Sequence, residues 1–88
     1  MTINKNFVLR QVADAWVVLP FGDSMLNFNG MLKLNESGVF LWRNLERGCN
    51  REELIAALTA EYTVETDVAS ADVDAFLSHL RKIGCLID

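Results

Sequence analysis

The pattern of apolar and polar residues changes period once, near position 35. Before it, two runs of strand-forming residues lie close together. These are Phe7-Val8-Leu9-Arg10-Gln11-Val12 and Ala15-Trp16-Val17-Val18-Leu19, separated by Ala13-Asp14. Two such runs with a two-residue break predict an antiparallel hairpin. Pro20 has no amide hydrogen, so it ends the second strand or holds it at an edge. Gly22-Asp23 marks a turn, and Asn29-Gly30 marks a second, tighter one, because both residues tolerate positive φ. Met31 to Leu34 is the expected third strand. Leu32 and Leu34 share one of its faces, Met31 and Lys33 the other. Leu26 to Phe28 reads as a short extra arm.

After Asn35 the spacing is helical. Asn35 is the expected N-cap of a helix through Val39, Phe40, Leu41, Trp42 and Leu45, stopping at Gly48. Its run of four apolar residues predicts cover on more than one side, as in a central helix. Asn50 caps a second helix, and Glu53 stands where a capping box puts its carboxylate. Leu54, Ile55, Leu58 and Tyr62 form its apolar stripe. Thr63 to Asp67 reads as a polar connection. The third helix carries Ala69, Val73, Phe76, Leu77 and Leu80 and ends at Gly84. The apolar tail Cys85-Leu86-Ile87 should fold back onto the core. Strands followed by helices argue for an α+β fold rather than a parallel α/β sheet. In outline it is a three-stranded antiparallel sheet followed by three helices, in a single domain over residues 1–88.

Composition narrows the uses of such a fold. Charged residues are 23% and the net charge is −4, a globular balance that disfavours nucleic acid, whose binding needs clustered Lys and Arg. The eight basic residues are scattered, with Arg81-Lys82 the one adjacent pair. No stretch approaches the roughly 20 apolar residues of a membrane span. Met1 to Asn6 lacks the apolar core of a signal peptide. A cytoplasmic location follows, with the two cysteines, Cys49 and Cys85, expected as reduced and partly buried thiols.

Candidate chemistry is sparse. The single histidine, His79, makes a poor zinc set with two distant cysteines. There is no nucleophile elbow and no glycine-rich phosphate loop. Gly30, Gly38 and Gly48 each have a turn or cap explanation. Asp67, Asp72 and Asp74 lie near or in the first half of a helix, where acids complement the dipole. The expectation is a non-catalytic domain without metal or cofactor.

What remains is surface shape. A sheet edge offers unpaired amides and carbonyls to which a peptide can add as a strand. An unfilled edge also invites homodimers. The third strand, placed beside the third helix, would form a groove with a backbone wall and a side-chain wall. On that helix Asp72, Phe76, His79 and Ile83 recur at i, i+4, i+7 and i+11, a stripe displaced from the core face. The pattern alone leaves open whether Phe76 and Ile83 line a groove or complete the core.

The stretch Asn29-Gly30-Met31-Leu32-Lys33-Leu34-Asn35-Glu36-Ser37-Gly38, followed by Phe40-Leu41-Trp42, resembles the PqqD-like family, named for a protein of pyrroloquinoline quinone biosynthesis. The Glu-Glu-Leu second helix, Asp72-Val73-Asp74-Ala75-Phe76-Leu77, and Gly84 with its apolar tail fit as well. The first strand looks more like that of the broader stand-alone relatives. The resemblance runs from about Phe7 to Ile87. It implies a winged-helix-like recognition element for ribosomally synthesised, post-translationally modified peptides (RiPPs). Such a domain binds the leader segment of a precursor peptide as a strand between its third strand and third helix. It delivers the peptide to a modifying enzyme, often a radical SAM protein. Carried onto this chain, the resemblance points to Met31, Leu32, Lys33 and Leu34 on the strand, with Met31, Leu32 and Lys33 donating and accepting along the edge. It points to Asp72, Phe76, His79 and Ile83 on the helix. The rival readings are a winged-helix DNA-binding or regulatory protein and a structural subunit of a modifying enzyme.

Overall fold

The computed structural model describes residues 1–22 and 32–88. The expected Leu26–Phe28 arm, the Asn29-Gly30 turn, Met31 and Asp23 of the Gly22-Asp23 turn lie outside the described residues. Gly22 itself takes a positive φ of 64°.

The elements run β1 (Thr2–Ile3), β2 (Phe7–Val12), β3 (Ala15–Pro20), β4 (Leu32–Leu34), α1 (Glu36–Glu46), α2 (Arg51–Glu61), α3 (Thr66–Ile83) and β5 (Leu86–Ile87). Strands β2, β3 and β4 form one antiparallel sheet in that spatial order. This is the expected α+β, winged-helix-like arrangement of a three-stranded sheet followed by three helices.

The sheet register separates its two faces. Leu9 lies opposite Val18, and Trp16 opposite Leu34. The alternation puts Phe7, Leu9, Val18, Leu32 and Leu34 on the core side. Val8, Arg10, Val17, Leu19 and Lys33 then fall on the outer face. The β2–β3 turn is the two-residue Ala13-Asp14, and Ala13 adopts φ 55°. A non-glycine residue in that region costs about 1–2 kcal/mol, and the six-residue pairing on either side holds it there.

Hydrogen bonding at the helix ends follows the sequence closely. The Asn35 side chain accepts from the Gly38 amide at 2.8 Å and starts α1. Asn50 and Glu53 form the full capping box of α2, with bonds of 2.8 and 2.9 Å. Gly84 closes α3 in the left-handed conformation, φ 92°. Helix α3 starts at Thr66, inside the stretch expected as a connection. Its acidic first turn, with Asp67, and its basic last turn, with Arg81 and Lys82, both suit the helix dipole.

The core joins α1 residues Leu41, Trp42 and Leu45 to Leu54 and Leu58 of α2 and to Val73, Leu77 and Leu80 of α3. Trp42, Leu45, Leu54 and Leu80 are fully buried, each leucine stabilising by about 1.5–3 kcal/mol. Helix α1 touches α2, β1 and β4, which fits the central role expected of it.

One element was not visible in the sequence pattern. Thr2–Ile3 pairs antiparallel with Leu86–Ile87, so a second, two-stranded sheet ties the two ends together. Ile3 and Cys85 enter the core through it. Two-residue strands are too short to show a period, and the polar stretch from Met1 to Asn6 hid the single buried Ile3.

The caps give a direct test. Asn35→Ala and Asn50→Ala should each lower stability by about 1 kcal/mol. The measure is a shift in denaturant midpoint at unchanged slope. No shift at Asn35 would mean that the Gly38 amide is satisfied elsewhere.

Candidate functional site

A groove of about 730 Å³ runs between β4 and α3. Its strand wall is Leu32, Lys33 and Leu34. One end is the first turn of α1, with Asn35, Ser37 and Gly38. Its floor is Leu41, Leu58, Tyr62 and Val64, and its helix wall is Asp72, Ala75, Phe76 and His79. Round Asn35 it adjoins a smaller hollow of about 390 Å³ that carries Asp14 and Glu36.

Six of the eight residues singled out from the sequence therefore meet in one groove: Leu32, Lys33, Leu34, Asp72, Phe76 and His79. Met31 lies outside the described residues. Ile83 is the exception. It packs against the core and does not line the groove. Length explains this, since three strand residues span about 10 Å. From Asp72 to His79 a helix rises about 10 Å, whereas Ile83 stands about 16 Å along.

The backbone of β4 can be read from its neighbour. The Phe21 amide donates to the Asn6 carbonyl at 2.9 Å. In an antiparallel ladder hydrogen-bonded pairs alternate. With the register continuous from Phe7 opposite Pro20 to Val12 opposite Ala15, Val17 and Leu19 spend their bonds on β2. Trp16 and Val18 then face β4 and bond Leu34 and Leu32, their partners in register. Lys33 therefore turns both its amide and its carbonyl to the edge of β4 that no described strand covers. Asn35 adds its amide, because a trans peptide points that N–H away from the Leu34 carbonyl. The expectation that Leu32 supplies edge hydrogen bonds is corrected, since its bonds go to β3. Leu32 and Leu34 contribute side chains to the groove instead.

The side chains divide by polarity. Leu34 is buried and Leu32 and Phe76 are half-buried, while Lys33, Asp72 and His79 are exposed. Tyr62 packs edge-on against Phe40, with ring centroids 5.7 Å apart. Burial pushes the Tyr62 hydroxyl above its ordinary pKa, assisted by Glu36 and Glu61. Gly38 is needed at the α1 end. A Cβ there would stand 3.1 Å from the Asn35 cap oxygen and 3.4 Å from Leu34. On the far side of α3, Arg51 of α2 donates two hydrogen bonds to Asp74, at 2.7 and 3.0 Å, and clamps the two helices together. That bond holds the Asp74 carboxyl below its usual range.

Sequence reasoning missed the floor. Leu41 and Leu58 read as ordinary core, and Val64 sat in a polar connection. The available signal was Val64 itself, an apolar residue with no place in either helical stripe.

Among the described residues no three His, Cys, Asp or Glu side chains cluster as metal ligands. No helix among them is long and apolar enough to cross a membrane. Cys85 is buried, and its thiol is pushed up to about 12 by desolvation. Cys49 is partly exposed and raised by burial first and then by Glu53.

An α+β domain whose last described strand borders an apolar groove and a helix is the class that these features define. The chain belongs to the PqqD family, described as "Coenzyme PQQ synthesis protein D (PqqD)", whose profile matches residues 16–86. No curated protein matches the chain. Among solved structures it is similar to TbiB1 in complex with the TbiA(beta) leader peptide. The identity there is 29% and the TM-score 0.75, over 93% of this chain and 90% of that one. It also shares the fold of lasso peptide synthetase B1 complexed with the leader peptide. That match has 23% identity and a TM-score of 0.76, over 98% of this chain and 95% of that one.

Two measurements check this geometry. In the free protein the Leu32 and Leu34 amides should exchange slowly with solvent and the Lys33 amide rapidly. The reverse order would overturn the pairing phase. Iodoacetamide at mildly alkaline pH should modify Cys49 first and Cys85 only on unfolding, because the buried thiol stays protonated. Equal rates would contradict the burial.

Proposed function

We propose that this chain is a RiPP recognition element. It takes the leader segment of a ribosomally made precursor peptide as an added strand on β4 and presents the remainder to a modifying enzyme, such as a radical SAM protein. The observation that carries this reading is the backbone edge at Lys33 and Asn35, uncovered among the described residues and lying directly over an apolar groove. Main-chain bonds of that kind give affinity without demanding a sequence, and the pockets beside them supply selectivity. The two similar structures, each holding a leader peptide, and membership of the PqqD family support it.

In this reading Lys33 and Asn35 bond the peptide main chain. Leu32, Leu34 and Phe76 receive its apolar side chains, and Asp72 and His79 supply a polar rim. The 88 residues act as one cytoplasmic adaptor domain. The work of the groove is binding, and chemistry belongs to the partner enzyme.

The test is a titration of the labelled protein with the leader peptide encoded beside its gene, followed by NMR. The largest shifts should fall on Lys33, Asn35, Phe76 and His79, with the turn at Ala13 unmoved. Phe76→Ala should weaken binding roughly tenfold, about 1.4 kcal/mol. Absence of binding, or shifts confined to the outer sheet face, would sink the proposal.

A further inference from the structure

The phase of the β4 ladder also fixes which peptide side chains can enter the groove. Lys33 is the described β4 residue whose amide and carbonyl both face the edge. In an antiparallel addition one peptide residue bonds both groups and lies beside Lys33; in a parallel addition the two bonds go to the residues that flank it. In either direction the residue beside Lys33 carries its side chain on the same face of the sheet as Lys33. That face is the outer one, where Arg10, Val17 and Lys33 stand in one lateral row by register. Lys33 is exposed, and its ammonium makes no hydrogen bond or ion pair among the described residues. The residue opposite Lys33 would therefore extend a row that ends on an unpaired cation. The two residues that flank it point the other way, into the groove. There they meet Leu32 and Leu34 on one wall, Phe76 on the other, and Leu41 and Leu58 below.

We propose that the groove selects an extended peptide carrying an acidic side chain between two apolar ones, with the acid beside Lys33 and both apolar neighbours in the groove. This rests on the leader-binding reading and adds the pattern that the leader must carry. Among the described residues the acid of the groove walls, Asp72, lies on the helix side, across from Lys33. Asp14 and Glu36 line the adjoining hollow that Lys33 also borders, and neither forms an ion pair with it. The two parts of the pattern contribute unequally. A directly opposed charge pair on a sheet is worth about 0.2–1 kcal/mol, or up to about fivefold in affinity. The two apolar side chains lose water-exposed area and dominate the affinity.

The test uses the full chain and a displayed library of random dodecapeptides, selected in parallel on the wild-type protein and on Lys33→Glu. Lys33 is exposed, so the variant should fold, and circular dichroism checks that it does. Wild type should enrich peptides with an apolar–acidic–apolar triplet. Lys33→Glu should keep the apolar flanks and switch the middle residue to Lys or Arg. In anisotropy titrations, a Glu-to-Lys change at the middle of the best wild-type peptide should weaken binding about threefold to fivefold. The same change should strengthen binding to Lys33→Glu. Enriched binders with no charge preference at that place, or with the same preference on both proteins, overturn this inference and leave leader binding standing. Failure to enrich any peptide on either protein removes the leader-binding reading along with it.

Discussion

The site depends on a sharp change of direction at Asn35. Its backbone ends β4 in an extended conformation, and its side chain starts α1 by accepting from the Gly38 amide. One residue thus fixes the angle between the edge strand and the central helix. Gly38 makes the junction tight, since a side chain there would press on the cap and on Leu34. With α1 held in this way, its core face carries Leu41 to the groove floor and Trp42 and Leu45 to the helical core. The groove lies above this corner because the two elements diverge from it.

The other wall is placed by packing at a distance. Helix α3 reaches the groove through α2, to which it is joined by buried Leu54, Leu58, Val73 and Leu77 and by the Arg51–Asp74 clamp. The clamp is exposed, and such pairs add little net stability. Its two-point geometry does constrain the relative rotation of α2 and α3, which sets where Phe76 and His79 point. At its far end α3 is held by the β1–β5 pair, which draws Cys85 into the core. Ile83 belongs to that anchored end, and this is why the stripe on α3 divides between groove and core.

Much of this was legible in the sequence. The hairpin, the two asparagine caps, the capping box and the stop at Gly84 are local signals, each carried by residue type and spacing, and each appears in the fold. Of the α3 stripe, Asp72, Phe76 and His79 line the groove, because helical spacing is rigid. Ile83 does not line it, because spacing says nothing of how long the facing strand is. The edge bonding of β4 was beyond the pattern for a different reason. The two faces of a strand follow from alternation, but which residues bond which neighbour follows from the phase of the whole ladder. That phase is read here from the bond between the Phe21 amide and the Asn6 carbonyl, at the far end of the hairpin. The floor was hidden because Leu41 and Leu58 serve core and groove at once.

A short edge has consequences for recognition. Among the described residues one fully outward residue and a neighbouring amide offer three main-chain bonds, each worth about 1 kcal/mol net. Ordering an extended peptide costs about 1–2 kcal/mol for each residue fixed. Backbone pairing on β4 therefore cannot hold a flexible peptide by itself. In the proposed binding mode the balance comes from apolar side chains entering the groove that Leu32, Leu34 and Phe76 line. Affinity and selectivity then arise from the same contacts. An added strand in the wrong phase would turn its apolar residues to the outer face and lose both. The fixed parity at Lys33 is thus a discriminator in its own right. It rejects a peptide shifted by one residue even where every backbone bond can still form.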